Sequence, residues 1–229
     1  MKVNNIPIHI IIPAYNEEEM IGEVICELNK LDINLKIFVV NDGSKDNTSA
    51  IAKKAGTIVI EHIVNFGQWA ALKTGFIVSI LNGAQIIVTI DADGQHSPEN
   101  LLDIITPILK GEADLIIGSR FLNEKKPSMQ THRYLGIKFF NILMKLITGK
   151  RFTDCTSGYK AYNKDLLMRL IPLLSENQYG ALEAIIYASK LGARILEIPI
   201  DSNASNKTTK GRLKYLFNLL RILFKSITQ

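Results

Sequence analysis

Cysteine is scarce in this chain of 229 residues. Cys26 and Cys155 lie far apart and form no C-x-x-C pair, so neither a thiolate zinc cluster nor a disulfide framework is indicated. A reducing, cytosolic compartment is the expected setting. Long apolar runs are missing as well. The uncharged stretch Thr74–Ile90 is broken by Asn82-Gly83, a helix stop followed by a strand, and the C-terminal apolar segment is interrupted by Lys214, Arg221 and Lys225. That segment falls short of the roughly 20 residues a transmembrane helix needs. The chain passes almost at once into its first strand, without a basic region, apolar core and small-residue cleavage site, so no signal peptide is expected. No Pro/Gly/Ser-rich linker, internal repeat or low-complexity tract marks a boundary. The expectation is one domain over residues 1–210, followed by a basic amphipathic helix over 211–229. The glycine-rich, basic phosphate loop of many nucleotidyltransferases is also missing after the first strand.

What is present alternates between strand and helix. Strands are expected near 8–12, 35–40, 57–60, 85–90 and 114–118, with helices near 17–30, 46–55, 68–82 and 98–110, a βαβ alternation that builds parallel sheet. Asn16 reads as the cap of the first helix, with Glu17, Glu18 and Glu19 in its first turn. Ser97-Pro98-Glu99 is a strong helix start. After Arg120 the regularity breaks: an apolar helix is expected near 134–148, then the segment Thr153–Tyr162, helices near 163–171 and 179–190, and a strand near 194–199.

The densest signal is Ile86–Gln95, I-I-V-T-I-D-A-D-G-Q. Its apolar run reads as a strand buried on both faces, which places Asp91 and Asp93 at its carboxyl end, the edge of an open α/β sheet where ligands bind. Two carboxylates with the Gln95 amide nearby suit Mg²⁺ or Mn²⁺ bridging phosphate oxygens. The first two strands likewise end in polar loops, Pro13-Ala14-Tyr15-Asn16-Glu17 and Asn41-Asp42-Gly43-Ser44, at what should be the same edge. A single D-x-D is commonly a solvated turn; three such loops at one edge are hard to obtain from folding requirements alone.

P-A-Y-N-E-E-E, V-V-N-D-G-S-K-D-N-T, D-A-D-G-Q-H, G-S-R-F and T-S-G-Y-K, in this order, resemble a family 2 glycosyltransferase with the GT-A fold, over about Ile8 to Ile200. The nearest resemblance is to the branch that includes dolichyl-phosphate mannose synthase and related polyprenyl-phosphate hexosyltransferases. That resemblance implies a Rossmann-like, mostly parallel sheet with a mixed acceptor-side portion, a nucleotide-sugar donor, GDP- or UDP-linked, a divalent metal, and inversion at the anomeric carbon. It implies metal ligation by Asp93 and Gln95, with Asp91 on the metal or the donor ribose. Pro13, Tyr15, Asn16, Glu17 and Asp42 would border base and ribose, and Ala92 would line the nucleotide. Arg120 would hold an acceptor phosphate, for which a guanidinium fork is well shaped. Arg133, Asp154, Ser157 and Lys160 are further acceptor-side candidates. His96 invites a metal role but reads as a loop residue; Glu183 and Trp69 are given no role. The chain departs from that branch after Ile200, where an arginine and a G-x-S-K loop are replaced by Asp201–Gly211, so that Lys207 or Lys210 becomes the candidate diphosphate cation. No transmembrane tail of the kind found in many of that group is expected.

The acceptor expected from the resemblance is a polyprenyl phosphate at the cytoplasmic face of a membrane. The alternatives are a glycan, protein or small-molecule hydroxyl as acceptor, and a non-catalytic nucleotide-sugar-binding or scaffold subunit. Self-association is left open. Nucleic acid is not an expected partner, because the aromatics sit on apolar helix faces rather than among arginines. Charge supports peripheral contact with an anionic membrane. Between Asn206 and Gln229 there are six basic residues and no acidic one; between Arg120 and Arg151 there are eight basic residues against Glu124. Both stretches carry broad apolar helix faces, the pattern of helices lying in a membrane interface, although packing on the sheet or a partner would use the same faces. Deleting Leu213–Gln229 is therefore expected to weaken sedimentation with anionic liposomes, and the binding of the full chain should fall as salt rises. Truncation that causes only aggregation, with no specific loss of liposome binding, would assign the helix to packing instead.

Overall fold

Isoleucine and valine dominate the strands, and their alternation divides the core between the two faces of one sheet. In the computed structural model, which describes residues 6–123, 129–175 and 180–201, the first strand, β1 (Ile8–Ala14), turns Ile8, Ile10 and Ile12 to one face and Ile11 to the other. The following elements are α1 (Ile21–Asn29), β2 (Leu35–Asn41), α2 (Thr48–Lys54), β3 (Ile58–Glu61), α3 (Gln68–Leu81), β4 (Ile86–Thr89), α4 (Leu101–Leu109), β5 (Leu115–Ser119), α5 (Thr131–Thr148), β6 (Lys160–Asn163), α6 (Lys164–Leu170), α7 (Gly180–Lys190) and β7 (Ile195–Pro199). Helices α1 and α4 contribute to the core on the Ile10 face, whereas α3, α5, α6 and α7 contribute to the core on the Ile11 face. Helix α3 lies so close to β1 that a Cβ at Gly75 would overlap the Ile11 side chain.

The strand order is β3-β2-β1-β4-β6-β5-β7. All pairings are parallel except those of β6, which runs antiparallel to both β4 and β5. The expected succession of parallel strands thus holds as far as β4, and the mixed portion begins with β6. Sequence periodicity shows no sign of this insertion, because β6 has only four residues and begins at the end of the Thr153–Tyr162 segment. Its consequence is positional. With Thr89 opposite Lys160 and Ile117 opposite Lys160, the start of β6 lies at the edge where β4 and β5 end.

Three helix starts differ from expectation, α5 beginning at Thr131 rather than near 134. The first helix begins at Ile21, not near residue 17, and Met20 rather than Asn16 occupies its cap position. Asn16 instead has a left-handed backbone, φ +53°, its amide donating to Ser44 Oγ (3.0 Å) while its Oδ1 accepts from the Lys45 amide (2.9 Å). Asn16 therefore ties two loops together, a role open to asparagine because it tolerates that backbone region. Ser97 caps as expected, accepting from the Glu99 amide, but over a short 3₁₀ turn that leads into α4. The expected helix over 211–229, the domain limit at residue 210, Lys207 and Lys210 lie outside the described residues. No helix among the described residues is long and apolar enough to cross a membrane.

His9 is buried in β1 beside Phe38, and its Nδ1 has no hydrogen-bond partner among the described residues. Burial, reinforced by Lys36, pulls it from 6.5 down to about 4. The unfolded chain therefore takes up this proton near pH 6.5 and the folded chain only near pH 4, so stability is lost as pH falls through that window. Thermal melts between pH 7 and 4 should show His9→Leu losing part of the acid destabilisation of the wild type; an unchanged pH slope would remove His9 as its source.

Candidate functional site

The ends of β1, β2 and β4 open onto a pocket of about 450 Å³ lined by Pro13, Ala14, Tyr15, Glu17, Asp42, Asn65, Gly67, Gln68, Asp91, Ala92 and Asp93. Seven of the sequence-selected residues, Pro13, Tyr15, Glu17, Asp42, Asp91, Ala92 and Asp93, thus meet at one cavity. Asn16 is adjacent in the chain but does not line it. Tyr15 is exposed, and Ala92 is buried between the two carboxylates.

Asp91 is partly buried. Its Oδ1 accepts from Gln68 Nε2 at 2.8 Å, and its Oδ2 lies 3.6 Å from His96 Nε2. Burial opposes its charge, yet His96, Lys160 and Arg120 together hold the carboxyl below the ordinary range, so Asp91 is ionised. Gly158 passes directly beneath it: a Cβ there would overlap the Asp91 carboxylate. Asp93 accepts from the Gln95 amide at 3.1 Å and also from the Gln95 side chain. Arg133, in the first turn of α5, reaches Gln95 Oε1 at 3.5 Å and so brings the start of that helix toward the loop.

The pair of carboxylates suits a hard divalent cation, since Asp91 and Asp93 face one pocket; Gln95 stands beside Asp93 with its side-chain NH2 turned to that carboxylate and its Oε1 to Arg133. Among the described residues no group of three His, Cys, Asp or Glu could hold a metal ion. Any cation here would take its remaining ligands from Gln95, water and a bound phosphate.

The acceptor-side candidates form a second, drier group. Arg120 follows β5, and its guanidinium grips Asp154 twice, Nε to Oδ2 at 2.6 Å and Nη2 to Oδ1 at 2.8 Å, with Nη2 also reaching Thr156 at 3.3 Å. Asp154 is fully buried and Arg120 nearly so. Burial works against the Arg120 charge, but Asp154 and the more distant Asp91 and Asp93 raise its pKa on balance. Beneath this pair Glu197 of β7 accepts from the Thr153 and Asp154 amides at 2.8–3.0 Å. Burial raises the Glu197 pKa against those bonds. Lys160 is buried at the start of β6, donates to the Ser157 carbonyl, and is pulled by burial to about 8 despite the support of Asp154 and Asp91. Ser157 is buried, its Oγ accepting from the Tyr159 amide.

Sequence reasoning missed Gln68, Asn65, Glu197 and His62. His62 follows β3 and bridges Asp42 Oδ1 (2.7 Å) to Thr74 Oγ1 of α3 (3.0 Å). Asp42 further accepts from the amides of Phe66 (3.0 Å) and Gly67 (2.8 Å), so this carboxylate fixes the 62–67 loop as well as lining the pocket. A histidine closing a strand at a ligand-binding edge was the one available signal. Glu183 accepts from the amide and hydroxyl of Ser175, away from the pocket residues, and Trp69 packs in the core against Phe76.

A second cavity, about 390 Å³ and largely apolar, is lined by Phe121, Tyr134, Ile137, Lys138, Asn141, Ile142, Phe152 and Thr153. Phe121 and Thr153 are the chain neighbours of Arg120 and Asp154. The exposed face of α5 adds Leu135, Phe139, Ile142 and Leu146.

Comparison with known proteins places the site in a family. The sequence pattern of glycosyl transferase family 2 matches residues 9–171. The UDP-N-acetylglucosamine–dolichyl-phosphate N-acetylglucosaminyltransferase of Methanococcus voltae is 35% identical over 212 residues, covering 84% of each chain. The polyprenol monophosphomannose synthase of Mycolicibacterium smegmatis is 30% identical, over 83% of this chain and 75% of that one. An uncharacterized protein of Methanocaldococcus jannaschii is 36% identical over the whole chain and 94% of its own length. Glucosyl-3-phosphoglycerate synthase from Mycobacterium tuberculosis, in complex with Mn²⁺, UDP-glucose and phosphoglyceric acid, superposes with a TM-score of 0.78 over 97% of this chain and 80% of that one. At 19% identity this last likeness shows the shared GT-A fold alone.

Removing one member of a buried ion pair leaves an uncompensated charge, at a cost of about 3–5 kcal/mol. Asp154→Ala should therefore lower the melting temperature by at least about 6 °C. The apolar double variant Arg120→Met/Asp154→Leu should recover part of that loss. A single variant as stable as the wild type would show that the pair does not brace the loop.

Proposed function

The chain belongs to glycosyltransferase family 2, and we propose that it moves a hexosyl group from a nucleotide sugar to a polyprenyl phosphate at a membrane surface. The observation that carries this reading is the pair of carboxylates, Asp91 and Asp93, facing one pocket at the carboxyl edge of the sheet with Asp42 and Tyr15. Mg²⁺ or Mn²⁺ held by Asp91 and Asp93, with Gln95, would supply Lewis-acid neutralisation of the departing nucleoside diphosphate. Pro13, Tyr15, Glu17 and Asp42 would border the base and ribose, with Asn16 holding the Tyr15–Glu17 turn against the Ser44 loop.

Which groups are already engaged supports a phosphate rather than a hydroxyl acceptor. A hydroxyl nucleophile needs a general base within hydrogen-bond reach. Both oxygens of Asp154 are bound by Arg120, and Glu183 is engaged by Ser175. A phosphate needs no base: one of its oxygens, already anionic at neutral pH, attacks the anomeric carbon as the bond to the nucleoside diphosphate breaks, with inversion. Positioning and neutralisation suffice for that. Arg120 keeps Nη1 without a protein partner among the described residues, and Arg133 stands at the start of α5, so together they could face the acceptor phosphate. Asp154 and Ser157 would then hold Arg120 and the loop rather than touch the substrate. The apolar cavity beside Phe121 and the exposed α5 face support a lipid acceptor and peripheral attachment.

Asp93→Asn should lower transfer about a hundredfold or more without changing the melting temperature much. EDTA should silence the wild type, and Mn²⁺ or Mg²⁺ should restore it. The assay is mass spectrometry of products from UDP-, GDP- and dTDP-sugars with a short polyprenyl phosphate. Turnover by Asp93→Asn at the wild-type rate would remove the metal site, and equal transfer to a soluble alcohol would remove the lipid phosphate.

A further inference from the structure

The donor pocket carries a limit on which base it takes, set by counting hydrogen bonds at Asp42. A carboxylate offers about four acceptor positions, two on each oxygen. Oδ1 already receives His62 Nδ1–H at 2.7 Å and the Phe66 amide at 3.0 Å, which fills it. Oδ2 receives the Gly67 amide at 2.8 Å, which leaves one position among the described residues. The carboxylate has little room to turn. Its own backbone amide is bonded to the Ala14 carbonyl, its residue is buried, and His62 is held in turn by Thr74 of α3. Since a carboxylate only accepts, His62 donates to Asp42 from Nδ1, while its Nε2 lies against the Thr74 hydroxyl.

Nucleobases differ in what they offer such a group. Uracil presents a single imide N–H between two carbonyls. Guanine presents two donors side by side, N1–H and the 2-amino group, which need a carboxylate with both oxygens open. Cytosine offers an amine but sets the lone pair of N3 beside it, against the negative charge. Asp42 has one position left, and the pocket adds the Asn65 amide, a donor for a base carbonyl, and the exposed Tyr15 ring. We infer that the pocket selects uracil over guanine, and that His62 sets this choice by occupying the second oxygen of Asp42. The inference rests on the nucleotide-sugar reading above and narrows it to UDP-linked donors. His62 is a specificity-determining residue that acts through Asp42 rather than by touching the base.

Calorimetric titration of the full chain with UDP, CDP and GDP, at one Mg²⁺ concentration, tests it, because the three share ribose and diphosphate. UDP should bind at least about tenfold more tightly than GDP or CDP, the scale of one unpaired donor or one opposed lone pair. In His62→Phe, confirmed folded by circular dichroism, Oδ1 is opened and the preference for UDP over GDP should shrink severalfold. His62→Asn, whose side-chain amide can replace the Nδ1 donor, should restore it. GDP or CDP binding as tightly as UDP overturns the inference while leaving the donor reading standing. An unchanged UDP to GDP ratio in folded His62→Phe overturns the role of His62. Failure of all three nucleotides to bind the wild type defeats the donor reading and the inference together.

Discussion

The antiparallel insertion of β6 between β4 and β5 is the constraint on which the site depends. Because β6 runs against its neighbours, its first residue, Lys160, pairs with Thr89 and Ile117 near the ends of their strands. The 153–159 loop is thereby delivered to the same sheet edge as Asp91, Asp93 and Arg120. Thr89 Oγ1 fastens that loop by donating to the Gly158 carbonyl at 2.7 Å. Had this strand been parallel, its loop would have entered from the opposite edge, and Asp154 could not have met Arg120. The requirement for glycine at 158 is the local expression of the same geometry, since the loop backbone lies against a carboxylate.

Charge then decides what the loop can be. Arg120, Asp154, Lys160 and Glu197 are largely withdrawn from water, at a desolvation cost that Coulomb attraction alone seldom recovers. The structure offsets it by making almost every polar atom answer to a partner: two guanidinium bonds to Asp154, two backbone amides to Glu197, and a carbonyl to Lys160. On the proposed reading, rigidity of this kind suits a loop that keeps a fixed distance from a reacting phosphate, where misplacement is costly.

The sequence was legible where a residue's role followed from its own strand. The ends of β1, β2 and β4 were readable because buried apolar runs stop abruptly at polar loops, which singled out Asp91 and Asp93; the family resemblance added Pro13, Tyr15, Glu17, Asp42 and Ala92, and these seven line one pocket. What stayed hidden depended on partners distant in the chain. Nothing in G-S-R-F reveals that Asp154, 34 residues on, takes the Nε and Nη2 sides of the Arg120 fork, which leaves only Nη1 for a phosphate. Asn16 looked like a helix cap because the competing bonds come from the Ser44-Lys45 loop. Strand β6 was too short to show a period, and nothing near Glu197 in the sequence points to its bonds with the Thr153 and Asp154 amides, more than 40 residues away.

These commitments bear on how a diphosphate could be tolerated at all. On the proposed reading, a doubly charged group arrives beside Asp91, Asp93 and Asp42, at a site whose own cations are already engaged. Arg120 faces Asp154, and Lys160 is buried against the Ser157 carbonyl. Neither can turn toward the donor without leaving a buried acceptor bare, a loss of the order of 1–3 kcal/mol for a neutral partner and more for a charged one. Holding Asp91 ionised against its burial makes physical sense under that restriction. A carboxylate kept charged in such a place attracts a cation from solution, and a divalent ion can satisfy two carboxylates and a diphosphate together where a single side-chain ammonium could not. The buried pairs therefore strengthen the argument for a metal, because they leave the donor so little other positive charge among the described residues.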